Sequence, residues 1–431
     1  MTYIDELEAA FHSHSDIKNY RINLSERRGI GVGIRDNDVG SVYSPFAASE
    51  TTGGGFLIEW QDGRLSRGNL DGNSLLALDQ LLAGVKAAAY DDPDAAQFLG
   101  PQSYHDVPRW SPDVPTLFTE RTAYLFEVLQ ELQALAARFK VETLNGGVGA
   151  GLGESWLRTS QGLQLHDRTT SCSFSATFDG ILGDGDQWRT VVDPAYITTQ
   201  IERLGHTVEH LRRDLPTPTT STPTIILHPD VASSLFGYFV WGNMGGSGVY
   251  HGQSAFSTAD FATQRQVLRS DLTLHVDPWQ PLGPDSFAWT GEGLPSVPTT
   301  YIEKGRLVQP VLDLKYARRL NLPPTTPPSG ARSISLTGPY TTTDETLLPT
   351  IRDGLLVLRV LGLHTQDRSS GNYSLATPQA LLIRNGEIAG HVRATLSGNF
   401  FEHMRADDLQ LVTFADQPSP GFAFNGHVAW T

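Results

Sequence analysis

Apolar residues recur along this chain with two periods, 3.6 and 2, and each predicts a different element. Ile4, Leu7 and Phe11 share one face of a helix over residues 3–12. Residues 20–35 alternate in short pieces around Gly29, Gly31 and Gly33, which predicts paired strands. Residues 56–60 and 64–70 flank Asp62-Gly63, a hairpin signal. A helix is predicted over 74–89, with Leu75, Leu78, Leu82 and Val85 on one side. A connector rich in Pro and Asp (91–115) leads to the longest predicted helix, 117–139, apolar at Leu125, Val128, Leu132 and Leu135.

Beyond Lys140 the period shortens. Strands are predicted over 155–158, 163–167 and 173–178, then a helix over 192–211. A Pro/Thr stretch, 214–223, is the expected domain boundary. A short strand (224–227) and a helix (231–241) precede a Gly-rich segment, 242–252, expected as a mobile loop. Mostly strands follow: 272–276, 299–307 turning at Lys304-Gly305, 308–314 and 333–336, with a flexible Pro-rich stretch at 322–330 and a short helix at 346–352. Residues 355–363 form an apolar run leading to a polar loop, 364–371. Asn385-Gly386, between Ile383 and Ile388, is the strongest turn signal in the chain. These elements predict an α+β fold. Residues 1–215 are an N-terminal domain of long helices with an antiparallel sheet, and 222–431 a mostly-β, barrel- or sandwich-like domain.

Composition narrows the function. The 431 residues exceed the usual single core, and 42 Gly and 26 Pro fit many turns. A net charge of −15 argues against nucleic acid or an anionic membrane as main partner. Cys172 is the only cysteine, so an internal disulfide and a four-thiolate zinc site are both excluded. The amphipathic, acidic N-terminus lacks the pattern of a secretory signal, and the apolar runs are too short for a bilayer, so a cytoplasmic location is expected.

Candidate chemistry is sparse. His206-Thr-Val-Glu209-His210 matches H-x-x-E-H, with the two histidines on one helical face as zinc ligation needs. The bland alternative puts both on the solvated side, with Ile201, Leu204 and Leu211 facing the core. Residues 145–153 are Gly-rich but fit neither G-x-G-x-x-G nor a P-loop, and are expected as a flexible connection. Residues 242–252 follow a helix, the wrong order for an anion cradle. His364, Asp367, Ser369 and Ser370 are too close on one loop to converge on a substrate, and no G-x-S-x-G elbow is present. Trp241, Trp279, Phe287 and Trp289 read as core or wall residues.

Three pieces together carry a resemblance. Residues 224–236 read TIILHPDVASSLF, 291–305 read GEGLPSVPTTYIEKG with Ala317-Arg318, and Gly362-Leu-His-Thr precedes Ser370-Gly-Asn-Tyr-Ser374. With Ile383-Arg-Asn-Gly-Glu-Ile388, Val392 and residues 396–399, the chain resembles the TldD/TldE (PmbA) family, most closely its TldE/PmbA branch. Thr290 and Gly371-Asn372-Tyr373-Ser374 depart from the family's usual acidic residue and Gly-Asp-Phe-Ser. The resemblance implies a subunit of a zinc peptidase for unfolded peptides, such as leader peptides of modified peptides. In that family a TldD-type subunit carries His-Glu-x-x-x-His on the helix after the strand matching 224–227, and a C-terminal Cys ligand. Residues 231–241 contain no His or Glu, and no Cys follows Cys172.

The expectation is therefore a non-catalytic, metal-free subunit that pairs with a TldD-like catalytic subunit holding the zinc. It is expected to have no cofactor of its own and no catalytic residue. Gly245, Gly246, Tyr250, His251, His364, Ser370, Gly371 and Tyr373 are the candidates for a peptide-channel wall. Two alternatives stand beside it. One is a homodimeric peptide-binding protein; the other is a zinc peptidase using His206, Glu209 and His210.

Overall fold

The computed structural model describes residues 2–40, 46–218, 222–338, 341–415 and 417–430. Two compact units form: Met1–Ile201 with Pro278–Val297 and Asp313–Pro324, and Glu202–Asp277 with Pro298–Leu312 and Thr325–Thr431. Residues 219–221 of the Pro/Thr stretch lie outside the described residues.

The first unit is built on a long, mainly antiparallel sheet. Its strands are β1 (Ile17–Arg35), β2 (Asp38–Val39), β3 (Phe46–Trp60), β4 (Leu65–Asp71), β5 (Leu144–Thr159), β6 (Gln164–Phe178) and β7 (Leu182–Trp188). The order is β4-β3-β1-β5-β6-β7, with β2 folded back on β1. Alternation along β1 turns Tyr20, Ile22 and Leu24 inward, where the helix Tyr3–Ser13 covers them with Ile4, Leu7 and Phe11. Phe11 meets Phe56 edge-to-face at 5.2 Å. Each such buried Leu, Ile or Phe contributes about 1.5–3 kcal/mol relative to exposure.

The Gly-rich segment expected as a flexible connection is instead a central strand. β5 pairs with β1 on one side and β6 on the other. Its glycines lie opposite the glycines of β1: Gly29 faces Gly151, Gly31 faces Gly149 and Gly33 faces Gly147. A Cβ on Gly147 would lie 2.7 Å from the carbonyl oxygen of Val32. Close backbone approach, not flexibility, is what the glycines serve there. The alternate positions Val148 and Ala150 are buried, which holds the register.

The second unit has two sheets. Its strands are β8 (Thr224–Leu227), β9 (Thr273–Val276), β10 (Thr299–Glu303), β11 (Arg306–Leu307), β12 (Ile334–Thr337), β13 (Thr341–Thr343), β14 (Asp353–Leu361), β15 (Asn372–Arg384), β16 (Glu387–Asn399), β17 (Gln410–Thr413), β18 (Gly421–Asn425) and β19 (His427–Trp430). A small sheet runs β11-β10-β9-β12. The large one runs β13-β17-β18-β8-β14-β15-β16-β19, with β8 parallel to β14 and β13 parallel to β17. Among the described residues this sheet is open: no pairing joins β13 to β19, so no closed barrel forms. The hairpin at Asn385-Gly386 is present, with positive φ at both residues (50° and 85°). A two-residue turn of that kind matches the twist of the strands it joins.

The predicted helices form with shifted ends: Leu78–Ala87 after a 3-10 turn at Ser74–Ala77, Ala123–Arg138, and Pro194–Leu211. Among the described residues no helix is long and apolar enough to cross a membrane.

Candidate functional site

The site is assembled in the second unit from the strand β8, the helical segment after it, and the loop after β14. β8 is a short buried strand, Ile225, Ile226 and Leu227 all being inaccessible. His228 ends it and caps the next helix, its Nδ1 accepting the N–H of Asp230 at 3.4 Å. Pro229 follows at the first helical position, where no N–H is needed.

The helix Pro229–Phe236 runs on into a π-helical turn, Gly237–Trp241. Short helices at Gly242–Met244 and Gly246–Tyr250 continue it. The expected mobile loop over 242–252 is thus largely helical, with Gly245 as an extended joint between the two turns. Gly245 pairs with Val311 in an isolated bridge, and the Gly246 N–H donates to the Val311 carbonyl at 2.8 Å. Inserted π turns of this kind reorient side chains and recur at functional sites.

The polar loop after β14 meets this helical segment. Gly362 adopts φ 88° and starts a 3-10 turn, Leu363–Thr365. Buried Asn243 reaches across: its Nδ2 donates to the carbonyls of Phe239 (2.8 Å) and Arg368 (2.9 Å), and its Oδ1 accepts the N–H of Ala255 at 2.8 Å. The Tyr238 hydroxyl donates to the Gln366 carbonyl at 2.6 Å. The Arg368 guanidinium lies 4.8 Å from the centroid of the Tyr238 ring and donates to the Gly242 carbonyl at 3.2 Å. The two stretches expected as channel walls are therefore joined edge to edge.

On the far side the loop is fixed to the β15–β16 hairpin. Asn399 Nδ2 donates to the Ser370 carbonyl and to Asn372 Oδ1, each at 2.9 Å. The Phe400 N–H donates to the Gly371 carbonyl at 2.8 Å. Gly371 has φ 78°, and a Cβ there would fall 2.5 Å from the Phe401 ring. Asp367 accepts the Ser369 N–H and hydroxyl at 2.9 and 2.7 Å, and the Ser369 hydroxyl bond holds its carboxyl below the usual range.

The candidate wall residues divide by exposure. Tyr250, His251, His364 and Ser370 are exposed, with the Tyr250 and His251 rings edge-to-face at 5.0 Å. Gly246, Gly371 and Tyr373 are buried, and Gly245 is half-buried. Tyr373 packs beside Phe239 and His403, and burial pushes its hydroxyl pKa well up. His403 stacks on Phe424 at 4.3 Å; its buried Nε2 has no partner among the described residues, and burial lowers its pKa.

His206 and His210 lie on the helix Pro194–Leu211, with Ile201, Leu204, Val208 and Leu211 buried on its other side. His206 Nδ1 sits 3.3 Å from Glu209 Oε2, both side chains exposed, while His210 is half-buried with its pKa lowered by desolvation. The six residues after β8 read His228-Pro229-Asp230-Val231-Ala232-Ser233. They open on a histidine but hold Pro229 and Ser233 where His-Glu-x-x-x-His has Glu and the second His. In the sequence His228 is an isolated histidine, a type more often a hydrogen-bonded structural group than a ligand, and its capping role agrees with that. Among the described residues no three His, Cys, Asp or Glu side chains gather as a metal site. Three protein ligands and an open position are what a catalytic zinc requires, so these residues do not fit one.

Of the second resemblance segment, residues 291–297 lie in the first unit and residues 298–305, with β10, in the second. Glu292 accepts the Leu314 N–H at 2.8 Å and approaches Arg21 Nη1 at 3.8 Å, with burial raising its carboxyl pKa.

Comparison with known proteins agrees with this architecture. Residues 219–410 match the family model of the PmbA/TldA metallopeptidase C-terminal domain. No curated protein matches the sequence at a significant level. The fold is similar to that of TldE from Thermococcus kodakarensis, with TM-score 0.75 and 18% identity over 99% of this chain and 100% of that one. It is similar also to a protein described as a modulator of DNA gyrase from Bacteroides thetaiotaomicron VPI-5482 (TM-score 0.74, 16% identity, 98% and 97% covered). A third, described likewise, comes from Thermotoga maritima MSB8 (TM-score 0.73, 18% identity, 99% and 99% covered). Residues 219–410 therefore match a PmbA/TldA-type C-terminal domain, and nearly the whole chain shares the fold of these three structures.

Proposed function

We propose that this chain is the metal-free, non-catalytic subunit of a TldD/TldE-type peptidase, and that it presents unfolded peptide to a zinc-bearing TldD-like partner. The observation that carries the reading is the donor set after β8. His228 is engaged as a helix cap, Pro229 stands where the motif has its general-base Glu and Ser233 where it has its second His ligand, and no Cys follows Cys172 to supply a third. Water activation by a catalytic zinc needs such ligands, so hydrolysis belongs to another chain.

The chain's own contribution is a rigid wall. Asn243, Tyr238 and Arg368 fix the loop to the helical segment, leaving Tyr250, His251, His364 and Ser370 at the surface. Main-chain hydrogen bonding along a strand edge holds an extended peptide without reading its side chains.

The test is purification of the chain alone and together with a TldD-like partner, each assayed on an unfolded peptide with and without chelator. The reading expects cleavage only with the partner present, abolished by chelator. Chelator-resistant cleavage by the chain alone contradicts it.

A further inference from the structure

A separate cleft lies at the end of the large sheet where β8 and β14 begin and β18 finishes. Its volume is about 430 Å3, within the range of small-ligand sites. Leu347, Ile351 and Phe424, all buried, supply its apolar side. Charges of both signs meet the cleft: Arg352, Asp353 and Asp408.

Two of these charges are unspent. Among the described residues neither the Arg352 guanidinium nor the Asp353 carboxylate has a hydrogen-bond or ion-pair partner. Asp408 is held in place, its Oδ2 accepting both the backbone N–H and the Nδ2 of Asn425 at 2.9 Å. Asn425 Oδ1 in turn accepts the Thr224 hydroxyl at 3.2 Å, and among the described residues Asp408 Oδ1 accepts no hydrogen bond. A cation beside two carboxylates, over an apolar side, is complementary to a ligand with one carboxylate, one ammonium and one hydrophobic side chain. Arginine binds a carboxylate through paired N–H donors, and an ammonium is a three-donor point charge suited to carboxylate oxygens.

We propose that this cleft binds a short zwitterionic peptide or free amino acid with an apolar side chain, through Arg352 at its carboxylate and Asp353 and Asp408 at its ammonium. The site is distinct from the wall built on Asn243. It does not depend on the proposed role in peptide hydrolysis, since occupancy requires neither a partner nor a metal.

Isothermal titration of the full chain, without partner, with the dipeptide Leu-Leu tests this. Saturable binding is expected, and blocking either terminus, as N-acetyl-Leu-Leu or Leu-Leu-amide, weakens it about 10- to 100-fold, the loss of one charge-assisted contact. Arg352→Ala removes the preference for a free carboxylate, and Asp353→Ala reduces the preference for a free ammonium, which Asp408 still contacts. Both side chains are exposed, and matched thermal unfolding curves confirm folded variants. Absence of binding at 10 mM dipeptide (roughly the weak end of measurable affinity), equal binding of blocked and unblocked peptides, or unchanged selectivity in the variants overturns the proposal. Because no cleavage is read, such failure leaves the subunit reading to its own test.

Discussion

Replacing Asn243 probes the joint between the two wall segments. The side chain is 1% exposed, so water cannot take over its bonds when it is removed. Asn243→Ala strands the carbonyls of Phe239 and Arg368 and the N–H of Ala255, which now bond at 2.8, 2.9 and 2.8 Å. At about 1 kcal/mol net for each bond, the second unit loses about 3 kcal/mol. Only the bond to Arg368 belongs to the loop, so loop opening becomes easier by about 1 kcal/mol, or roughly fivefold. Two readouts separate these effects. Urea unfolding followed by fluorescence reports the larger loss. Limited trypsin cleavage after Arg368, under conditions where opening is fast, reports the smaller one as roughly fivefold faster nicking. Asn243→Asp is the sharper variant. It keeps the acceptor for Ala255 but sets a carboxylate oxygen against two carbonyls, so it is expected to be at least as destabilised as the alanine variant. Loss below about 0.5 kcal/mol in Asn243→Ala, or an aspartate variant more stable than the alanine one, refutes the brace.

Other consequences can be checked independently. Gly386→Ala at φ 85° places a Cβ 2.9 Å from the Pro349 backbone, so a loss of at least about 1–2 kcal/mol is expected in urea unfolding. His403 is buried with a lowered pKa, so its neutral form is favoured in the fold. Its contribution is intact above the ordinary value of 6.5 and declines as pH falls from there to its depressed folded pKa, because the unfolded chain takes up the proton first. A histidine-resolved NMR titration is expected to place its midpoint below 6.5, and His403→Asn to flatten the stability profile below that pH. Elemental analysis of the purified chain is expected to find less than stoichiometric zinc, unchanged in His206→Ala/His210→Ala; one zinc per chain, lost in that variant, would revive the H-x-x-E-H reading.

Much of the fold was legible because its signals are local. The helix over Tyr3–Ser13 follows from the spacing of Ile4, Leu7 and Phe11, and the β15–β16 turn from Asn385-Gly386. The errors arose where partners are distant. Glycines in β5 read as a flexible connection because their reason, the facing glycines of β1, lies more than a hundred residues earlier. Gly242–Met244 and Gly246–Tyr250 read as loop because glycine disfavours a helix, while burial of Met244 and Val249 outweighs that preference. The brace was invisible for the same reason: Asn243 and Arg368 stand 125 positions apart. Gly371 and Tyr373 were found through the resemblance, and their burial shows them to be packing elements behind the surface that Ser370 and His364 expose.

The central claim is that this chain supplies no metal-dependent hydrolysis of its own. The most direct measurement is cleavage of an unstructured peptide by the purified chain, by a TldD-like partner and by both, before and after chelation and zinc return. The account predicts activity for the pair only, lost to chelator and restored by zinc, and unchanged by His206→Ala or His228→Ala. Cleavage by this chain alone, or its loss in either histidine variant of the pair with the complex intact, contradicts it.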